Sequence, residues 1–253
     1  MRFICHIFLA AICFSIPVLS QELTGKQITE KMNDIINPES IKAKAKMTII
    51  TTSGKKRTFE FDSFSKNRGE KNLIRYNSPV RVKGQANLML NYADDIWAYF
   101  PITKRVRKLA THAKKQKMHG SDFSYEDMGS GDSFIKDYTP KRLKDEKNEG
   151  YDCYKIELIK NKDSDVSYSR LIMWVIKDNF VPIVIDYYDE NDPDLHIKEL
   201  VQSDIRVIDK IPTAMKMVMH NKLDNTQTSM EYISVEYNVE LDDQMFTERG
   251  LTK

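Results

Sequence analysis

Few residues beyond position 20 have the chemistry to hold a metal or start a reaction. The histidines there are His112, His119, His196 and His220. His112 and His119 stand among lysines, which repel a cation, so this part of the chain disfavours a metal site. Asp189, Glu190, Asp192, Asp194 and His196 have more ligand character, but the run lacks the glycine and distal glutamate of a calcium loop, and Pro193 marks it as a solvated hairpin turn. A hydrolase needs a nucleophile on a sharp elbow with a base in reach. Gly129-Ser130-Gly131 comes nearest, yet it is shorter than the G-x-S-x-G frame and follows a helical stretch, so it reads as a flexible break. With no glycine-rich phosphate loop either, no catalytic residue, metal or cofactor is expected.

The strongest local charge lies in a basic arm. Seven lysines and arginines fall between Lys104 and Lys117 with no acidic residue among them. Arg105, Arg107, Lys114, Lys115 and Lys117 are the candidates for contact with anionic headgroups or an acidic partner, at about 1 kcal/mol for each cation near a charged membrane. The alternative is a solvated hairpin, or pairing with the net acidic segment Asp122 to Asp137. The formal net charge of the whole chain is only +2, which argues against a nucleic-acid binder.

The elements that must position these residues are mostly strands. Ile41, Ala43, Ala45, Met47 and Ile49 alternate with Lys42, Lys44, Lys46 and Thr48, the period of a strand with one wet and one apolar face. Ser53-Gly54 turns the chain into a second strand, Arg57 to Phe64, with Phe59 and Phe61 facing inward. Further strands are expected at 71–77, 86–92, 96–100, 152–160, 169–177, 181–188, 195–209, 214–220 and 229–240. That spacing suits one curved antiparallel sheet or barrel. Two helical segments accompany it. Ile28, Met32, Ile35 and Ile36 make an amphipathic helix between Thr24 and Asn37, with a Thr24–Gln27 capping box and Pro38 as its stop. The second runs from Ser121 to Tyr138.

Methionine recurs at alternate strand positions, Met47 on one strand and Met215, Met217 and Met219 on another, joined by Ile49, Phe59, Phe61, Leu88 and Leu90. Such a face is either an ordinary sheet core or a soft surface that repacks around flexible guests. Two short helical segments are little cover for about eleven strands, so the lid is expected to leave a cavity.

Residues 1–20 read as a removable export signal. Arg2 begins a nearly continuous apolar run from Phe3 to Leu19, and Val18-Leu19-Ser20 offers a cleavage site before Gln21. Residues 21–253 then form one domain, soluble, exported and unlipidated. Cys153 is the only cysteine in that part, so it has no intramolecular disulfide partner, and it is expected to fill space within a strand.

The stretch from Asp94 to Asp127 carries a resemblance. Asp94, Trp97, Tyr99 and Pro101, the pair Arg105 and Arg107, and the run G-S-D-F-S-Y-E-D from Gly120 to Asp127 resemble the LolA-like outer-membrane lipoprotein-sorting family. The likeness runs through nearly all of the chain after residue 21. It implies a mainly β fold, an incomplete antiparallel barrel lidded by helices. It also implies a non-enzymatic periplasmic carrier of lipid or lipoprotein acyl chains, working with an inner-membrane exporter and an outer-membrane acceptor. On that reading Met47, Ile49, Phe59, Phe61, Leu88, Leu90, Met215 and Met217 line the cavity. Trp97 and Tyr99, or their neighbours Ile96 and Phe100, join them, and Phe123 and Met128 face it from the lid. A lipid-responsive sensor of the RseB type is the rival on the same fold, and a secreted hydrolase is a more distant one.

Overall fold

The structure, a computed structural model, describes residues 22–129 and 131–253. The expected export signal and Ser130 lie outside the described residues. The fold is built on fourteen strands in a single antiparallel sheet. In chain order these are β1 (Ser40–Ile50), β2 (Lys56–Lys66), β3 (Lys71–Ser78), β4 (Ala86–Leu90), β5 (Asp95–Phe100), β6 (Arg105–Lys108), β7 (Tyr138–Arg142), β8 (Glu146–Asn148), β9 (Tyr151–Lys160), β10 (Tyr168–Ile176), β11 (Pro182–Asp189), β12 (His196–Ile208), β13 (Ile211–Asn221) and β14 (Thr226–Tyr237). The spatial order runs β6-β5-β4-β3-β2-β1-β14-β13-β12-β11-β10-β9-β7, with β8 pairing beside β9. Neither β6 nor β7 closes on the other, so the barrel is incomplete. Every strand expected from the sequence is present. β6, β7 and β8 are additional, being short and polar, with no alternation to announce them.

Local chemistry explains the elements that hold the lid. Helix α1 (Gly25–Ile36) starts at a complete capping box: Gln27 N–H donates to Thr24 Oγ1 at 3.2 Å, and Thr24 N–H to Gln27 Oε1 at 2.9 Å. Its buried side, Ile28 and Met32, packs into the main core. The second expected helical segment resolves into two short helices, α2 (Tyr125–Gly129) and α3 (Ser133–Lys136). The basic arm before them becomes β6 followed by two 3-10 turns, Thr111–Lys115 and Met118–Gly120. Among the described residues no helix is long and apolar enough to cross a membrane.

Both faces of the sheet are covered at β3 to β5. On the concave side Ile74, Tyr76, Met89 and Ile96 belong to the main core. On the convex side Leu73, Ala86 and Leu88, with Leu90, Trp97 and Tyr99, pack under Leu241, Phe246 and Leu251 of the C-terminal segment. That segment is pinned by charge. Lys71 Nζ lies 3.0 Å from Asp243, and the Arg75 guanidinium donates to the Gly250 and Leu251 carbonyls at 3.2 Å each.

Candidate functional site

A cavity of about 260 Å³ remains where the lid fails to fill the concave face. Its inner wall is Phe123, Ile185, Leu200, Met219 and Met230, all buried. Toward the opening stand Ile35, Ile36 and Asn37 at the end of α1, Ile41 at the start of β1, and Pro212 and Tyr237. Ser63, Ser65 and Asn72 add neutral polar groups. Among the described residues of this wall Asp127 is the one carboxylate, and no lysine, arginine or histidine is present.

The expected lining residues divide into four groups. Phe123, Met128 and Met217 do border the cavity. Met47, Ile49, Phe59 and Phe61 face the same side but are packed solid in the core. Here Phe59 and Phe61 meet Tyr76 at centroid distances of 6.0 and 5.6 Å, and His119 closes on Tyr76 at 4.3 Å. Burial, then the nearby Arg81 and Arg57, lowers the His119 pKa, which suits a neutral ring used as packing. Met215 packs with Ala43 and Val235 beside the cavity wall rather than in it.

Leu88, Leu90, Trp97 and Tyr99 require correction: they lie on the convex face under the C-terminal segment. Their inward neighbour Ile96 sits in the filled core and Phe100 is exposed, so β5 contributes nothing to the cavity. The residues that sequence reasoning missed come mainly from β11 to β14 and the end of α1, with a few from β1 and β2. No signal singled them out, because aliphatic strand residues look alike whether they face a lid or a void.

The run Gly120 to Asp127 fastens the lid. Asp122, 2% exposed, accepts from Thr226 Oγ1 at 2.6 Å and Thr228 Oγ1 at 2.7 Å. Ser124 and Asp127 cap one another, Asp127 N–H to Ser124 Oγ at 3.0 Å and Ser124 N–H to Asp127 Oδ2 at 2.7 Å. Glu126 is buried and accepts from both the backbone N–H and the hydroxyl of Ser167. Burial raises its pKa, and the hydrogen bonds from Ser167 offset part of that. Asp127, which borders the cavity, accepts from Tyr168 Oη at 2.7 Å and Lys198 Nζ at 3.1 Å. Burial first, and the Asp127 charge second, push the Tyr168 phenol well above its usual range, so it remains a donor.

Gly131, just after α2, packs closely against Gly69, where a flexible break was expected. A Cβ on Gly131 (φ +47°) would stand 2.8 Å from the Arg68 carbonyl oxygen, and one on Gly69 would come 2.6 Å from Gly131 Cα. Neither gap admits a side chain.

The basic arm is also corrected in part. The Lys114 side chain is 7% exposed and pairs with Asp94 at 2.8 Å and Asp165 at 3.2 Å. Lys115 pairs with Glu190 at 2.7 Å, and Lys117 pairs with Asp224. Hydrogen bonds from these two lysines are the leading cause holding Glu190 and Asp224 below the usual carboxylate range. Arg105 and Arg107 stay exposed, in no ion pair among the described residues. Asp189 and its acidic neighbours form a turn closed by their own side chains, Asp189 Oδ1 accepting from the Asn191 and Asp192 N–H groups at 2.9 and 3.1 Å. No group of three or more histidine, cysteine or acidic residues is arranged for a metal among the described residues.

An unclosed antiparallel sheet, lidded by short helices over an apolar space, defines a LolA-like fold. A family model described as "Uncharacterized protein" matches residues 68–253. The chain is similar to a crystal structure named for an outer membrane lipoprotein-sorting protein domain from Vibrio parahaemolyticus, at 25% identity and TM-score 0.81 over 90% of this chain and 98% of that one. It is similar also to a DUF1329 family protein from Desulfovibrio piger, at 28% identity and TM-score 0.80 over 90% of this chain and 97% of that one. A LolA superfamily protein from Nitrosomonas europaea shares the fold at TM-score 0.74 with 21% identity, over 90% of this chain and 99% of that one. No curated protein matches. The chain belongs to the family of that model and, with it, to the LolA-like outer-membrane lipoprotein-sorting family.

Proposed function

We propose that the protein is a non-enzymatic periplasmic carrier that takes acyl chains of a lipid or lipoprotein between its sheet and its lid. The observation that carries this reading is the apolar cavity against Phe123, Met128, Met217, Met219 and Met230. Each buried CH₂ contributes about 0.8 kcal/mol, so a carrier needs an apolar space and a gate and no reactive group. At about 260 Å³ the space is just below the usual range of ligand sites, which run from roughly 300 to 1,000 Å³. It suits a length of chain in the closed state, with more admitted as the lid lifts. A wall with no cation gives a phosphate nothing to pair with, so the headgroup stays outside. An inner-membrane exporter and an outer-membrane acceptor are the partners this reading calls for.

The test is mass spectrometry of lipids extracted from the exported protein. Acylated molecules in stoichiometric amount are the expected result. A protein that carries none, and takes up none from micelles, refutes the carrier.

A further inference from the structure

Two aliphatic side chains stand out from the surface at one end of the sheet. Val80 is 89% exposed and Ile102 85% exposed. Val80 opens the 3-10 turn Val80–Val82 between β3 and β4, and Ile102 lies in the turn joining β5 to β6. The registers place both connections at the same end: Arg75 pairs with Ala86, Ala86 with Tyr99, and Phe100 with Arg105. The two turns adjoin there: a Cβ built on Gly84 would lie 3.6 Å from the Pro101 ring. Around the two side chains stand Arg81, Lys83, Lys104 and Arg105, all exposed, and none of them is in an ion pair among the described residues. The segments 79–84 and 101–105 contain no acidic residue.

A lone exposed aliphatic residue means little. Two on adjoining turns, in a ring of unpaired cations, make a different surface. The charge of the ring complements an anionic surface, and the two projecting tips suit a fluid interface that opens around them. We propose that this end of the sheet docks on an anionic bilayer, with Val80 and Ile102 entering the headgroup–acyl boundary and the four cations meeting phosphates. The cations supply an attraction that salt screens, and the apolar tips give the contact a part that salt does not screen. The surface stands independently of the cavity, so it holds or fails whatever the cavity contains.

The test uses exported protein and vesicles of phosphatidylcholine, alone or mixed with phosphatidylglycerol. Wild type is expected to float with the mixed vesicles at low salt and only weakly with the neutral ones. Val80→Ser with Ile102→Ser should weaken that association about ten-fold or more, and Lys104→Glu with Arg105→Glu should abolish its salt dependence. Both pairs are exposed, so thermal melts should match wild type. A polarity-sensitive dye on Val80→Cys of the exported protein, whose other cysteine, Cys153, is buried, should shift to the blue on mixed vesicles. The same dye on Val207→Cys, 72% exposed on the hairpin at the other end of its strands, should not. Absent binding at low salt, equal dye shifts at both positions, or full binding by the serine pair would overturn the proposal. Salt-sensitive binding indifferent to the serine pair would leave a purely electrostatic contact and overturn the entry of Val80 and Ile102 into the bilayer.

Discussion

Asp127 and Tyr168 stand 2.7 Å apart, carboxylate against phenol, and Lys198 Nζ touches both, at 3.1 and 2.9 Å. This contact ties α2 to the wall formed by β10 and β12, so the lid is held by a buried polar group as well as by apolar packing. Tyr168→Phe removes a donor to Asp127 and an acceptor for Lys198, and should cost about 1–3 kcal/mol. Lys198→Met leaves the buried carboxylate without its cation and should cost about 3–5 kcal/mol. Urea titration measures both. Hydrogen exchange should show 121–136 opening before β1 and β14 in wild type, and earlier still in the variants.

Glu126 makes the lid respond to pH in the opposite sense from most of the surface. Its folded-state pKa is raised by burial, so folding favours the neutral acid more than the unfolded chain does. The associated stability is fully present below the unfolded pKa and is lost as pH rises through the folded value. Glu126→Gln keeps an acceptor for Ser167 without the charge. The variant should equal wild type in acid and exceed it increasingly toward neutral pH, which denaturation across that range will show. A gap that widens in acid would mean Glu126 is held ionised.

Filling the cavity should remove cargo without unfolding the protein. Met217→Trp places a large ring at a half-buried wall position. Overpacking should cost about 1–3 kcal/mol. Lipid recovered per folded molecule should fall several-fold, read by extraction beside a thermal melt.

Leu88→Ala gives the complementary result. This side chain is fully buried on the convex face against the C-terminal segment. The change should cost about 2–5 kcal/mol and leave the lipid content of the folded fraction unchanged. Lost cargo at unchanged stability would place Leu88 in the cavity after all.

Local rules that close within a few residues could be read from the chain alone. The Thr24–Gln27 capping box, the stop at Pro38 and the alternation from Ile41 to Ile49 stand in the structure as the sequence predicts. So do the succession of antiparallel strands and the resemblance carried by Gly120 to Asp127. Tertiary structure alone decided which face each strand turns inward where both are apolar. On β4, Leu88 and Met89 differ little in hydrophobicity, and both are fully buried. The C-terminal segment covers one while the core takes the other, and no period of two can separate faces that are both dry. The lysines of the arm are a similar case, because a run of cations shows charge but not the distant carboxylates that neutralise it. Asp165, Glu190 and Asp224 come from three separate turns. The cavity is the hardest feature to read from sequence, since it is the space left where side chains from α1, the lid and β11 to β14 fail to meet, and only their positions in three dimensions define it.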